Sequence, residues 1–252
     1  MYPVLFHIGS YDVTTFGLMV AIGAGLGVLL MRRELARRGL DVSAGTDAAL
    51  MGVLGGLAGA KLLYVLEHWG EGLADTLLSR AGMSWFGGLV GGILAGLIVI
   101  VRKRLPVIAL LAAAAPAIAL GQAVGRIGCF LVGDDYGRPT DLPWGVAFPR
   151  GLPPTLDRVH PTQIYEAIAL FVITWLLVRW RRRGAGDLSL FGRYLVLIGV
   201  TRFLIEIIRV NVRVAFGLTV AQFFAIGGVA LGVALMVVAR GRFARREVQG
   251  NA

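Results

Sequence analysis

Long apolar runs alternate with short basic blocks along this chain. The runs cover about Thr15 to Met31, Ala48 to Leu66, Ser84 to Val101, Val107 to Val124, Thr162 to Val178, Leu190 to Ile208 and Leu218 to Ala239. Each approaches the ~20 residues that a helix needs to cross the hydrocarbon of a bilayer. The pattern therefore predicts an all-α fold, a polytopic membrane bundle of about seven transmembrane helices. Arg32, Arg33, Arg37 and Arg38 follow the first run, and Arg102, Lys103 and Arg104 follow the third. Arg179, Arg181, Arg182 and Arg183 follow the fifth, and Arg240, Arg242, Arg245 and Arg246 follow the seventh. With helices alternating in direction, all four blocks fall on one face, which the positive-inside rule makes cytoplasmic. The N-terminus is then expected outside, the C-terminus inside, and the connections after the second, fourth and sixth runs outside.

Two further patterns refine the bundle. Glycines recur four residues apart at Gly23 and Gly27, at Gly52 and Gly56, at Gly55 and Gly59, at Gly87 and Gly91, and at Gly88 and Gly92. Small residues at this spacing let membrane helices pack closely. The connection at about residues 133–161 is rich in proline, with Pro139, Pro143, Pro149, Pro153, Pro154 and Pro161 around Trp144. Proline at this density argues against a helix, and the segment is expected to cap one end of the bundle as an outer loop. The domain reading is a single integral membrane domain over 1–252.

Composition agrees and removes alternatives. Hydrophobic residues make up 57% of the 252 and charged residues only 16%, where a soluble protein carries about 25% charge. The formal charge of +10 lies in blocks flanking the runs, so it reads as membrane topology and not as a nucleic-acid surface. Cys129 is the only cysteine, which excludes an intrachain disulfide. His7, His68 and His160 are scattered, and no metal or cofactor spacing appears. No basic residue precedes the first run, so the charged start of a cleaved signal peptide is missing and that run is expected to remain in the protein.

Charges inside the runs carry the candidate chemistry. Lys61, Arg126, Glu166, Arg202, Glu206 and Arg209 lie within or at the ends of apolar stretches, where ionisable groups are costly and mark function. Arg202, Glu206 and Arg209 share a helix face, as do Gln122, Arg126 and Cys129, and Lys61, Tyr64 and His68. In the predicted topology Arg126, Tyr165, Glu166 and Arg209 converge on the outer half of the membrane. The glycine-rich stretch Met83 to Gly92 opens the third span from the same side. An excess of arginine there fits an anionic lipid headgroup.

The stretch Gly125-Arg126-Ile127-Gly128-Cys129-Phe130 through Gly137 resembles the signature of the prolipoprotein diacylglyceryl transferase family. Phe16-Gly17-Leu18-Met19, Gly82-Met83-Ser84-Trp85-Phe86-Gly87-Gly88-Leu89 and His160-Pro161-Thr162-Gln163-Ile164-Tyr165-Glu166 support it in order. So do Arg202 through Arg209, and Gly217-Leu218-Thr219 with Gln222. The resemblance implies a multi-pass enzyme of the bacterial inner membrane with its site toward the periplasm. It implies transfer of a diacylglyceryl group from phosphatidylglycerol to the lipobox cysteine of a preprolipoprotein signal peptide. By resemblance, Arg126, Arg202 and Glu206 are the catalytic candidates. The two arginines would meet the phosphate, and Glu206 would orient Arg202 or Arg209. Arg126, Gly87, Gly88, Gly133, Gly137, Tyr165, Arg209 and Lys61 are the lipid-binding candidates. The chain departs from the family pattern at Phe86, where histidine is usual, at Cys129 for asparagine, at Phe16 for tyrosine, and at Lys61 for arginine. These departures keep a second reading open, a divergent relative that binds or transports an anionic phospholipid, or transfers it to another acceptor.

Overall fold

The computed structural model of the chain describes residues 4–8, 11–71, 76–77 and 83–250. Among these residues seven helices form: α1 (Thr15–Ala36), α2 (Val42–Glu67), α3 (Trp85–Arg102), α4 (Val107–Val132), α5 (Thr162–Arg182), α6 (Asp187–Ile208) and α7 (Val220–Gly250). Six are long and apolar enough to cross a membrane, and α3 supplies a shorter apolar helix at 86–102. The all-α polytopic bundle read from the apolar runs is therefore the observed architecture. Large apolar side chains such as Leu54, Leu62, Ile93, Val101 and Trp175 are exposed on the helix faces. That arrangement suits hydrocarbon as solvent, because a helix satisfies its own backbone hydrogen bonds there.

The chain groups into two compact units. Residues Val28–Leu110 form one. Within it α2 and α3 pack through a ladder of glycines. A Cβ on Gly55 would lie 2.8 Å from the Gly91 carbonyl oxygen, and one on Gly91 would lie 2.9 Å from Gly59 Cα. Gly59 and Gly87 face each other in the same way. The backbones meet here because no side chain separates them, as the four-residue spacing predicted. Asp41 caps α2 by accepting from the Ala44 amide at 2.9 Å, satisfying one of the helix's orphan donors.

The second unit holds Met1–Gly27 and Leu111–Ala252. Its core is the alanine edge of α4, Ala112, Ala115, Ala119 and Ala123, against Leu170, Ile173 and Leu177 of α5 and Leu190 and Tyr194 of α6. The alanines recur every three or four residues, so they lie on one face and let α5 and α6 approach. On α1, a Cβ on Gly23 would come within 2.7 Å of the Gly121 carbonyl oxygen of α4. Gly192 of α6 meets Gly232 of α7 by the same device.

Three short antiparallel hairpins complete this unit: β1 (Val4–Ile8) with β2 (Tyr11–Thr14), β3 (Val146–Phe148) with β4 (Thr155–Val159), and β5 (Arg213–Ala215) with β6 (Leu218–Thr219). The apolar-run pattern gave no sign of them, since each is only two to five residues long. The proline-rich segment 133–161 is non-helical as expected, and β3–β4 organises it. Phe148 is its fully buried anchor, with its ring centroid 5.4 Å from Tyr136 and 5.7 Å from Phe130. Gly82, in one of the family-like stretches, lies outside the described residues.

Candidate functional site

Helix α4 runs past the Val124 boundary read from the sequence and ends at Val132. Arg126 and Cys129 therefore lie inside the helix, on its last turns. Gly133 ends it with φ of +80°, and its amide reaches back to the Cys129 carbonyl at 2.8 Å. Glycine is favoured at such a left-handed helix end. The following backbone is then pinned on both sides. The Gly137 amide donates to His160 O at 2.9 Å, Arg138 to Ile208 O at 2.9 Å, and Thr162 Oγ1 to Asp135 O at 2.7 Å. Gln163 Nε2 donates to Asp134 O. These bonds bring together the end of α4, the start of α5 and the end of α6.

The charged groups of those three elements form one chain of ion pairs. Arg126 Nε meets Glu166 Oε2 at 3.0 Å, and its Nη1 meets Asp135 Oδ2 at 2.7 Å. Arg202 Nη1 lies 3.6 Å from the same Glu166 oxygen, and its Nη2 lies 3.3 Å from Glu206 Oε2. Glu206 also accepts from Asn211 Nδ2 at 2.6 Å. Arg209 pairs with Asp135 Oδ1. The structure thus brings Arg126, Arg202, Glu206 and Arg209 together, as the sequence reading expected. It also decides a question the spacing left open, since Glu206 pairs with Arg202 while Arg209 turns to Asp135.

One expectation about charge is corrected. The cluster does not carry an excess of arginine: Arg126, Arg202 and Arg209 are matched by Asp135, Glu166 and Glu206. Asp135 was not among the candidate site residues. Its signal in the sequence was only its place nine residues after Arg126, which becomes adjacency because α4 ends between them. Donor capacity nonetheless remains. Arg202 Nη1 is buried and makes no hydrogen bond, its 3.6 Å contact with Glu166 being an ion pair only.

Tyr165 sits at the edge of this cluster, at the start of α5. Its hydroxyl accepts from Trp144 Nε1 at 2.7 Å and lies 3.4 Å from His160 Nδ1. The segment 133–161 thereby lays an aromatic contact on the helix that carries Glu166. Gly137 is required by packing of the same segment, since a Cβ there would stand 2.8 Å from Ile208 O and 2.9 Å from His160 Cβ. Lys61, Gly87 and Gly88 belong to the other compact unit. Lys61 Nζ stands 5.4 Å from the Tyr64 ring centroid, and that ring stacks on His68 at 4.1 Å, so the predicted shared face exists. Gly87 and Gly88 face the α2 backbone at Gly59 and Gly56. Phe86, in the place of a polar motif residue, is exposed at the start of α3.

The two aspartates that follow α4 have opposite acidities. Burial pushes the Asp134 carboxyl above the usual carboxylate range, despite a hydrogen bond with the Cys129 thiol and the pull of Arg126 and Arg209. Burial acts on Asp135 in the same sense, but Arg209 and Arg126 together outweigh it and hold its carboxyl below the usual range. Cys129 Sγ accepts from Arg126 Nη1 at 3.8 Å. Cys129, Asp134 and Asp135 present ligand-type atoms within 4.8 Å of one another. The Asp135 oxygens are already engaged by two guanidiniums, so the trio is built as part of the charge network.

A family model described as prolipoprotein diacylglyceryl transferase matches residues 3–238. Similar curated proteins include the phosphatidylglycerol–prolipoprotein diacylglyceryl transferase of Clostridium tetani (strain Massachusetts / E88), 31% identical over 248 residues, covering 96% of this chain and 99% of that protein. The protein of the same name from Geobacter sulfurreducens (strain ATCC 51573 / DSM 12127 / PCA) is 38% identical over 218 residues, covering 82% of each. That of Bordetella bronchiseptica (strain ATCC BAA-588 / NCTC 13252 / RB50) is 35% identical over 252 residues, covering 92% of this chain and 93% of that protein.

Proposed function

Because the chain belongs to the prolipoprotein diacylglyceryl transferase family, we propose that it moves the diacylglyceryl group of phosphatidylglycerol onto the lipobox cysteine of a preprolipoprotein signal peptide. Membership favours this transferase reading over a lipid carrier. The observation that carries the chemistry is the convergence of Arg126 from α4 and Arg202 from α6 on one oxygen of Glu166. Glu166 holds two guanidiniums from different helices side by side, where one phosphate can meet both.

The acceptor thiol first loses its proton to water, which at neutral pH a few per cent of free thiols have done. The thiolate sulfur then attacks the glycerol carbon that bears the phosphate ester. A carbon–sulfur bond forms, the carbon–oxygen bond breaks, and its electron pair leaves on the oxygen of glycerol phosphate. Negative charge grows on the departing phosphate. Arg126 and Arg202 meet that charge in place, which is usually the largest catalytic contribution, and arginine presents a planar fork suited to phosphate. Glu206 orients Arg202, Arg209 meets the headgroup phosphate beside Arg126, and Tyr165 serves the headgroup. Gly133 and Gly137 shape the backbone beside it, and Lys61, Gly87 and Gly88 are kept as lipid-binding candidates on resemblance alone. No cofactor or metal enters the reaction.

The reading takes 1–252 as one domain in the bacterial inner membrane. Residues 133–161 and the N-terminus face the periplasm and the C-terminus faces the cytoplasm, supported by the arginine blocks at the C-terminal ends of α1, α3, α5 and α7. The test is purified protein with phosphatidylglycerol and a lipobox peptide, scored by mass. A peptide gaining one diacylglyceryl group is expected. An unmodified peptide with the lipid still bound would overturn the reaction.

A further inference from the structure

The ion-pair network is neutral as it stands, with three arginines against three carboxylates. A phosphodiester entering it adds a negative charge, so a carboxylate has to give way. The three carboxylates are not equally able to do so. The Glu206 side chain is 1% exposed and held by Arg202 and Asn211. That of Glu166 is 12% exposed and shared between two guanidiniums on rigid helices. That of Asp135 is 45% exposed and lies beyond the end of α4, in a turn.

Asp135 also has the geometry of the arriving group. One oxygen takes Arg126 Nη1 and the other takes Arg209. Its carboxylate therefore straddles two guanidiniums as two phosphate oxygens would. Its backbone is fixed independently, by Thr162 Oγ1 on its own carbonyl and Gln163 Nε2 on that of Asp134. The side chain can swing out without moving the turn. Arg126 divides its fork, giving Nε to Glu166 and Nη1 to Asp135, so the outer edge is what the swing releases.

We infer that Asp135 is a placeholder for the lipid phosphate, an internal carboxylate that occupies the Arg126–Arg209 subsite in the resting protein and is displaced by the headgroup. This rests on the transferase reading for the identity of the phosphate, but it is tested by binding. Asp135 is a positioning residue and does not act as the base, since the same two arginines make its carboxylate a weak proton acceptor.

A structural role and a placeholder role predict opposite signs. If Asp135 merely positions the arginines, removing its charge weakens lipid binding. If it competes, removal tightens binding. The experiment measures the dissociation constant of short-chain phosphatidylglycerol in detergent by calorimetry, for wild type and for Asp135→Asn, Asp135→Gly and Asp135→Glu. Asn and Gly both tolerate the φ of +60° at this position, so two independent variants keep the turn. Each should bind about two- to thirtyfold tighter, the range for losing two ion pairs that share a half-exposed carboxylate. Asp135→Glu keeps the charge and should stay within about twofold of wild type. With the lipobox peptide added, Asp135→Asn should lower KM in parallel and leave kcat no higher. Inhibition by glycerol phosphate should strengthen by a similar factor. Unchanged or weaker binding in both the Asn and Gly variants overturns the inference, as does equal tightening in Asp135→Glu. A wild type that binds the lipid but makes no adduct refutes the reaction alone, and the binding series still decides the role of Asp135.

Discussion

Arg126→Lys separates a forked contact from a mere charge. Arginine at this position spends Nε on Glu166 at 3.0 Å and Nη1 on Asp135 at 2.7 Å, in two directions from one plane. Lysine keeps the charge but concentrates it on one nitrogen, which can replace at most one of these contacts and cannot span two phosphate oxygens. The loss is at least one hydrogen bond to a charged group, about 1.5–3 kcal/mol. At ~1.4 kcal/mol per factor of ten, kcat/KM should fall roughly 10- to 150-fold. Arg126→Ala should fall further, because it leaves Glu166 with Arg202 alone. The assay is initial-rate transfer of diacylglyceryl to a lipobox peptide, read by mass, with a thermal melt to confirm that each variant is folded. Arg126→Lys within about threefold of wild type would refute the fork, because a single charge would then suffice.

The remaining predictions concern neighbouring groups. Cys129→Ser should retain most activity and intact-mass spectra of the wild type should show no lipid on the protein, because a buried thiol commonly serves as a small hydrophobe; an adduct on Cys129 would show a covalent intermediate. In a Cys129→Ser background, a membrane-impermeant thiol reagent should label Asp157→Cys in intact cells and spare Ser43→Cys, and the opposite pattern would invert the topology. Asp134 faces Cys129, Asp135, Arg126 and Arg209, and its raised carboxyl pKa means that its ionisation costs folding stability as pH climbs above the ordinary value of ~3.9. Asp134→Asn should therefore raise the melting temperature at pH 7–8, with the gain shrinking toward pH 4. A gain that grows on acidification would contradict that sign.

The bundle was legible because a bilayer imposes one strong rule. A spanning segment must be long, apolar and helical, so Thr15, Ser84, Thr162 and the arginine blocks marked the boundaries with small errors. The misplaced end of α4 was informative. The apolar run stops at Val124, just before Arg126, although Gln122, Arg126 and Cys129 read as one helix face; α4 carries all three and stops only at Gly133. A helix ends where its backbone turns, and Gly133 sets that point. The hairpins escaped because two to five residues give no periodicity to read, and because β3–β4 is held by Phe148 against Phe130 and Tyr136, contacts distant in sequence.

The site was half legible, and the split has a physical cause. Arg202 and Glu206 lie one helical turn apart on α6, so their pairing follows from spacing alone. Pairs between elements do not. Glu166 reaches Arg126 only because α4 and α5 pack along the alanine edge, and Asp135 reaches Arg209 only because the Arg138 amide is tied to Ile208 O. Without those contacts the arginines stand out, since a cation in an apolar run is conspicuous. An aspartate in a turn is ordinary and draws no notice. Reading charge from the sequence therefore counts the groups that look misplaced and misses the ones that neutralise them. The apparent excess of positive charge was a product of that bias. On the proposed reading, phosphate is recognised not by surplus charge but by an exchange of one anion for another, with the outcome decided by how loosely Asp135 is held.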